Sequence, residues 1–200
     1  MSNQTETLGG RLPLLDPQML SAEQKGLYDR MNQTAVPWAD SAHFQSKTKD
    51  GRLIGPFNPV LFSPRLTSAF LELQAIEEKH TSLSDQVRQV LILSVGAVWK
   101  SEYELYAHSA VARKAGLSEE SIRSLVSGGL PNDLSDQEKI AQRFALQLST
   151  EHCVDDALYR EAERTFGQQG LVDAITLIGI YHSVCALLNA FEIPAPQAQV

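Results

Sequence analysis

Between Asp85 and about Lys100 the chain places Val87, Val90, Leu91, Ile92, Leu93, Val95 and Val98, so a helix built from this stretch is apolar on most sides. Such a helix has no face to give to water and must be enclosed by other elements. The β-branched residues also suit a buried strand, but the length of the run favours helix. A bundle wrapped around this segment is therefore the expected architecture.

The flanking sequence supplies the enclosing helices. Ser21 and Gln24 form a capping box that opens a helix ending near Met31 to Gln33, and Ser135 with Glu138 forms a second one, leading Ile140, Phe144, Leu146 and Leu148 into another helix. Ser63-Pro64 starts a helix whose Leu66, Phe70, Leu73 and Ile76 share a face. A break follows at His80 to Ser84. Further helices are expected from about Ser101 to Ala115, closed by Gly116, from Ser118, and from Asp155 or Asp156 to Gly167. A long apolar helix then runs from Leu171 to Phe191 and stops before Pro194 and Pro196. No strand alternation competes, so the fold class is all-α. Residues 59–195 form the helical domain; residues 1–58 contribute an arm, one helix and a long loop.

That loop, Thr34 to Pro59, shows no sustained period and contains Pro37, Gly51, Gly55, Pro56 and Pro59. Loops of this length tend to be lids or binding segments, or else disordered, so an ordered loop would set Trp38, His43 and Phe44 either over a pocket or against a neighbouring subunit.

Composition narrows the function classes. Two hundred residues, 43% of them hydrophobic, make one globular domain rather than a disordered chain. A net charge of −7 gives no reason to expect nucleic acid or an anionic membrane as partner. Two cysteines, Cys153 and Cys185, are too few for a disulfide scaffold, so a reducing compartment is expected. The first ten residues have no basic start or apolar core, and Val90 to Trp99 is about half a bilayer-spanning length. The chain reads as a cytoplasmic, soluble protein.

Three side-chain sets could carry chemistry. Glu104 and His108 are four apart on a stripe that continues to Val111 and Ala112, so the pair straddles the core boundary. A carboxylate beside an imidazole orients the ring and raises its pKa, as proton transfer near neutral pH requires; a surface ion pair is the plainer alternative. His182 shares a stripe with Ile175, Ile178, Cys185 and Asn189 and either lines a pocket or is a hydrogen-bonded core histidine. Glu104, His108 and His182 together could ligate a metal, but no metal-binding spacing supports that. Nucleophile-elbow and phosphate-loop glycine patterns are absent as well.

These residues carry a resemblance. Gly55-Pro56-Phe57-Asn58 before Ser63-Pro64, the buried helix running into Glu102-Tyr103-Glu104 with His108, the Ala115-Gly116-Leu117-Ser118 ending and Leu188-Asn189-Ala190 are together similar to the carboxymuconolactone decarboxylase and AhpD-like alkylhydroperoxidase superfamily, over about Gly55 to Pro194. The resemblance implies an AhpD-like helical bundle that assembles as homotrimers or hexamers, with pockets near subunit contacts and no cofactor. The peroxidase branch carries Cys-x-x-Cys-x-x-x-His and an upstream glutamate. Here Ser101 and Glu104 stand at the cysteine positions, His108 at the histidine and Gln89 at the glutamate. Neither a hydroxyl nor a carboxylate can run a thiol–disulfide cycle.

The decarboxylase branch keeps Glu-x-x-x-His, as Glu104 and His108 do. Its arginine two residues beyond the histidine is Ala110 here, and the nearest basic residues on the helix are Arg113 and Lys114. The resemblance thus implies a lyase-type enzyme acting on a small-molecule substrate, decarboxylating or isomerising a lactone or enolisable carbonyl compound. In that reading His108 is the acid, Glu104 its orienter, and Tyr103, Gln89, His182, Asn189 and Ser101 line the substrate pocket. The alternatives are a peroxiredoxin-like antioxidant protein using Cys153 or Cys185, and a non-catalytic small-molecule-binding homologue.

Overall fold

The computed structural model describes residues 8–197. The apolar segment forms helix α4, Asp85–Trp99, in which every residue from Val87 to Gly96 is buried. Around it lie α1 (Ala22–Gln33), α2 (Ala35–Ala42), α3 (Pro64–His80), α5 (Glu102–Lys114), α6 (Glu119–Val126), α7 (Asp136–Glu151) and α8 (Asp156–Ala190). Short 3-10 turns occupy Gly55–Phe57 and Pro59–Phe62. Among the described residues there is no β-strand, only one isolated antiparallel bridge between Lys47 and Leu53.

Local chemistry sets the helix ends. Both capping boxes form: Gln24 and Glu138 each accept a hydrogen bond from the backbone of the serine that caps their own backbone N–H, at 2.9 and 2.7 Å. Ser84 and Ser118 cap α4 and α6 from one side only, each side-chain oxygen accepting from a backbone N–H, of Val87 and Ser121. At Gly167 the backbone turns to φ +67°, which divides the expected short helix from the expected long one within α8. By length and composition α8 could cross a membrane. Here Leu171, Ala174, Leu177, Ile178 and Cys185 are buried in the core.

Two apolar clusters make up that core. The first joins α4 to α6, α7 and α8 through residues such as Leu93, Leu125, Phe144 and Leu177. Each such side chain contributes about 1.5–3 kcal/mol by leaving water. The second joins the N-terminal region to the outer side of α5 and the end of α8, through Met31, Phe44, Ile54, Leu61, Tyr103, Ala107 and Leu188. Helix α5 belongs to both, since Ala112 sits in the first cluster and Tyr103, Ala107 and Ala110 in the second.

One expectation is corrected. Thr34 to Pro59 is not one irregular loop: Ala35–Ala42 is helical and buries Val36, Ala39 and Ala42, while Phe44, Leu53 and Ile54 are also buried. The pattern was hidden because only eight residues are involved and Pro37, which reads as a breaker, occupies the first turn, where its missing N–H costs nothing. The apolar stripe of α3 is divided: Phe70 packs against the second cluster, while Leu66, Leu73 and Ile76 are 72, 44 and 52% exposed.

Candidate functional site: a buried carboxyl–imidazole pair

Helix α5 begins at Ser101 and places Glu104 and His108 one turn apart on the side facing α4. Gly96 of α4 permits the close approach, since a Cβ there would come within 3.5 Å of the Glu104 Cγ and 3.0 Å of Leu105. The first turn of the helix is fixed by a second glycine. Gly55, at φ +63°, lies against the Tyr103 ring so closely that a Cβ would fall 2.1 Å from it, and the Tyr103 hydroxyl donates to the Gln45 carbonyl at 2.6 Å. Asn58 of the same turn accepts from the Leu15 N–H and donates to the Pro13 carbonyl, tying the N-terminal arm over this region.

The pair itself is almost wholly enclosed, with Glu104 3% and His108 5% exposed. Glu104 Oε1 lies 3.3 Å from His108 Nε2, and His108 Nδ1 lies 2.8 Å from Gln89 Oε1 on α4. Tyr181 of α8 stands edge-on to the imidazole with ring centroids 4.9 Å apart, and Trp38 of α2 covers it at 6.0 Å. Beside Gln89, Arg88 donates to Glu77 of α3 at 2.6 Å, and this ion pair is buried too.

Burial decides the charge state. It pushes the Glu104 carboxyl up to about 8. Burial, with the Arg88 charge behind it, pushes His108 down to about 3. The expected raised histidine is therefore corrected: loss of hydration outweighs the attraction between the two groups, and both are uncharged at neutral pH. A neutral pair can donate a proton from the carboxyl or take one up on the unprotonated ring nitrogen.

The other expected site residues divide. Gln89 reaches the pair directly. Ser101 caps no backbone N–H with its side chain, and its Oγ is buried and without a hydrogen-bond partner. It lies beside Cys185, whose thiol is pushed far up by burial and by the Glu104 charge. Tyr103 packs with the arm. His182 and Asn189, expected in the pocket, are not brought to the pair. His182 accepts from the Trp99 indole at 2.7 Å and meets Ser149 Oγ at 3.0 Å, while Asn189 donates to the Trp99 carbonyl at the end of α4. The three-residue metal set is thus not assembled, and among the described residues no group of three or more His, Cys, Asp or Glu could hold a metal.

The two basic residues of α5 are engaged elsewhere, and the cation near the pair comes from α4. Arg113 pairs with Glu119, and Lys114 donates to Ser41, whereas Arg88 is the charge that bears on His108. Sequence reading missed Arg88, Glu77 and Tyr181. An arginine inside an otherwise apolar helix was the available signal, since a buried guanidinium needs a carboxylate. Tyr181 adjoins the singled-out His182, but adjacent helix residues point about 100° apart, so the neighbour rather than the histidine meets the site.

Residues 64–141, which span α3 through the start of α7, match the model of the carboxymuconolactone decarboxylase family. No functionally curated protein matches the chain. Among solved structures, a peroxidase-related protein with an alkylhydroperoxidase AhpD core from Ralstonia eutropha JMP134 superposes with a TM-score of 0.72 at 15% identity, covering 94% of this chain and 92% of that one. A putative antioxidant defence protein AhpD from Agrobacterium tumefaciens gives 0.64 at 16% identity, covering 70 and 97%. The debrominase Bmp8, in complex with 2,3,4-tribromopyrrole, gives 0.64 at 15% identity, covering 84 and 89%.

Proposed function

Because the chain belongs, through residues 64–141, to the carboxymuconolactone decarboxylase/AhpD-like superfamily, we propose that it is a small-molecule enzyme whose Glu104/His108 pair moves a proton during decarboxylation or an allied lyase or isomerase step. The observation that carries this reading is the 3.3 Å approach of two desolvated, uncharged, titratable groups at the seam between the two apolar clusters. Perturbed pKa values in opposite directions within one contact are what acid–base work requires, and they destabilise the fold otherwise.

The substrate class follows from the chemistry of such a pair. In an unsaturated lactone or keto acid, the bond to the carboxylate carbon breaks, carbon dioxide leaves, and the electron pair remains as an enolate. That enolate needs a proton on carbon and support for its oxygen. The site offers one acidic proton, and the adjacent Arg88 charge favours electron density building up nearby. Trp38 and Tyr181 exclude water, which strengthens both effects.

The test is turnover of a panel of γ-carboxylated lactones and β-keto acids in deuterium oxide. Solvent deuterium appearing on product carbon with wild type, and its loss in Glu104→Gln and His108→Gln, supports the reading. Full turnover in either variant overturns it.

A second reading is favoured by one observation, the position of Cys185 beside Ser101 and Glu104. A thiol there could consume peroxide with an external thiol as reductant. Its protonated state at neutral pH weighs against that chemistry, and peroxide consumption lost on Cys185→Ser would establish it.

The exposed apolar face of α3 further supports the proposal that the protein works as a homo-oligomer.

A further inference from the structure

The corner where α4 gives way to α5 lacks the local chemistry that fixes other helix ends of this fold. Lys100 turns it at φ +51°, a conformation that favours glycine and that a longer side chain keeps only where its surroundings enforce it. Ser101 and Glu104 have the spacing of a capping box, yet none forms. The Ser101 side chain caps no N–H, its own N–H donates to the Gly96 carbonyl at 3.1 Å, and Ser101 Oγ and Glu104 Oε1 are buried without a hydrogen-bond partner. Ser135 and Glu138, at the same spacing, close theirs. Leaving this one open frees Glu104 to lie against His108, so the corner needs a hold from outside its own residues.

Tyr103 ties the first turn of α5 to Gln45 on the side of the arm, and α8 supplies the hold on the side of α4. It does so at two points on one residue. Asn189 donates to the Trp99 carbonyl at 2.7 Å, satisfying an acceptor at the helix end, and His182 accepts from the Trp99 indole N–H at 2.7 Å with the two rings edge-on. An indole N–H can only donate, so His182 Nδ1 presents a lone pair to it. The ring hydrogen is then on Nε2, with Ser149 Oγ of α7 at 3.0 Å to accept it. An imidazolium carries a hydrogen on both nitrogens and cannot keep the Trp99 bond.

We propose that His182 and Asn189 are positioning residues that clamp Trp99 and so set the corner from which α5 presents Glu104 and His108 to α4, and that the His182 half of the clamp opens when its ring takes up a second proton. The clamp involves no catalytic step and stands whether or not the pair turns over a substrate. Of the elements packed on His182, α4 faces it with Trp99 and α7 with Ser149, neither of which titrates in this range, and with His152. Lys100, at the corner, is exposed to water, and the neighbours on α8, Tyr181 and Cys185, are held neutral by burial. Burial, then the charge of His152, holds His182 below its ordinary 6.5, so the clamp opens on the acid side of that value.

The test uses the full-length 15N-labelled protein and no substrate. Two tryptophans give two indole N–H signals, and loss in Trp99→Phe identifies that of Trp99. Long-range proton–nitrogen correlations report the rings of His182 and His108, identified by loss in His182→Gln and His108→Gln. At neutral pH, His182 is expected as the Nε2–H tautomer and the Trp99 indole hydrogen as protected from exchange. As pH falls below 6.5, the His182 ring, the Trp99 indole, the backbone amides of residues 100–104 and the His108 ring are expected to shift in one transition. His182→Gln, which cannot titrate, abolishes it. Trp99→Phe keeps an aromatic ring without the N–H and covers the case in which the glutamine variant fails to fold: His182 then titrates at higher pH and the 100–104 amides no longer follow. Asn189→Ala is expected to displace those amides at neutral pH already.

An Nδ1–H tautomer at neutral pH, an indole signal indifferent to the titration of His182, or a transition that survives in His182→Gln overturns the proposal. So does a titration that moves the indole alone, because the bond would then hold Trp99 without positioning the site. Inertness toward every lactone and keto acid, with the coupled transition intact, would overturn only the proposed activity.

Discussion

Glu104 and His108 approach to 3.3 Å without forming an ion pair, because each is uncharged in the environment that the fold gives it. The two pKa shifts have opposite stability signs. Glu104 is raised in the folded state, so its contribution is complete below its ordinary value of 4.5 and is lost as pH climbs toward about 8. His108 is lowered, so its contribution is complete above 6.5 and is lost as pH falls toward about 3. Glu104→Gln should therefore flatten the fall of Tm between pH 5 and 8, and His108→Gln should flatten its fall on the acid side. Thermal melts from about pH 3 to about pH 8 check both; a variant whose Tm profile parallels wild type refutes the assignment for that residue.

The buried Arg88–Glu77 bond should show the cost of isolating a charge. Glu77→Gln leaves the guanidinium without a counter-charge, and the expected loss is about 3–5 kcal/mol of unfolding free energy. Urea denaturation measures it. Breaking an exposed pair such as Arg65–Glu23 in the same way should leave the urea midpoint nearly unchanged, because water and salt already screen it.

Much of the fold was legible because its signals are local. The capping serines, the glycine at position 116 and the continuous apolar circumference of α4 each act within a few residues, and sequence shows them directly. Within the site, the Glu104/His108 register was legible for the same reason. What was hidden depends on tertiary neighbours. Whether α3 turns its leucines inward or outward is decided by what packs on it, not by its period. Whether His182 or Tyr181 meets His108 depends on the rotation of α8. The direction of the His108 shift depended on enclosure by Trp38 and Tyr181, which no spacing encodes.

Gly55 makes a sharper stability prediction than most glycines. A side chain at φ +63° alone costs roughly 1–2 kcal/mol, and the added Cβ would overlap the Tyr103 ring. Gly55→Ala should therefore lose more than that amount and loosen the α5 start. Tyr103→Ala made together with Gly55→Ala removes the overlap, so the double-mutant cycle should show strong coupling. Additive effects by urea denaturation would mean the contact is not what requires glycine.

Leu66, Leu73 and Ile76 lie at i, i+7 and i+10 on α3, one side of the helix, and all are exposed in the single chain. Phe62, just before this helix, is 45% exposed as well. Covering such a row in a second copy removes it from water, at about 25 cal/mol per Å² of apolar surface. The expected outcome is a homo-oligomer by light scattering at micromolar concentration, a trimer or hexamer if the assembly follows the implied family pattern. Leu66→Lys with Ile76→Lys should reduce it to monomer while leaving the helical circular dichroism unchanged, because neither residue belongs to either core cluster. A clean wild-type monomer, or an oligomer indifferent to both lysines, would show that another surface, or none, does this work.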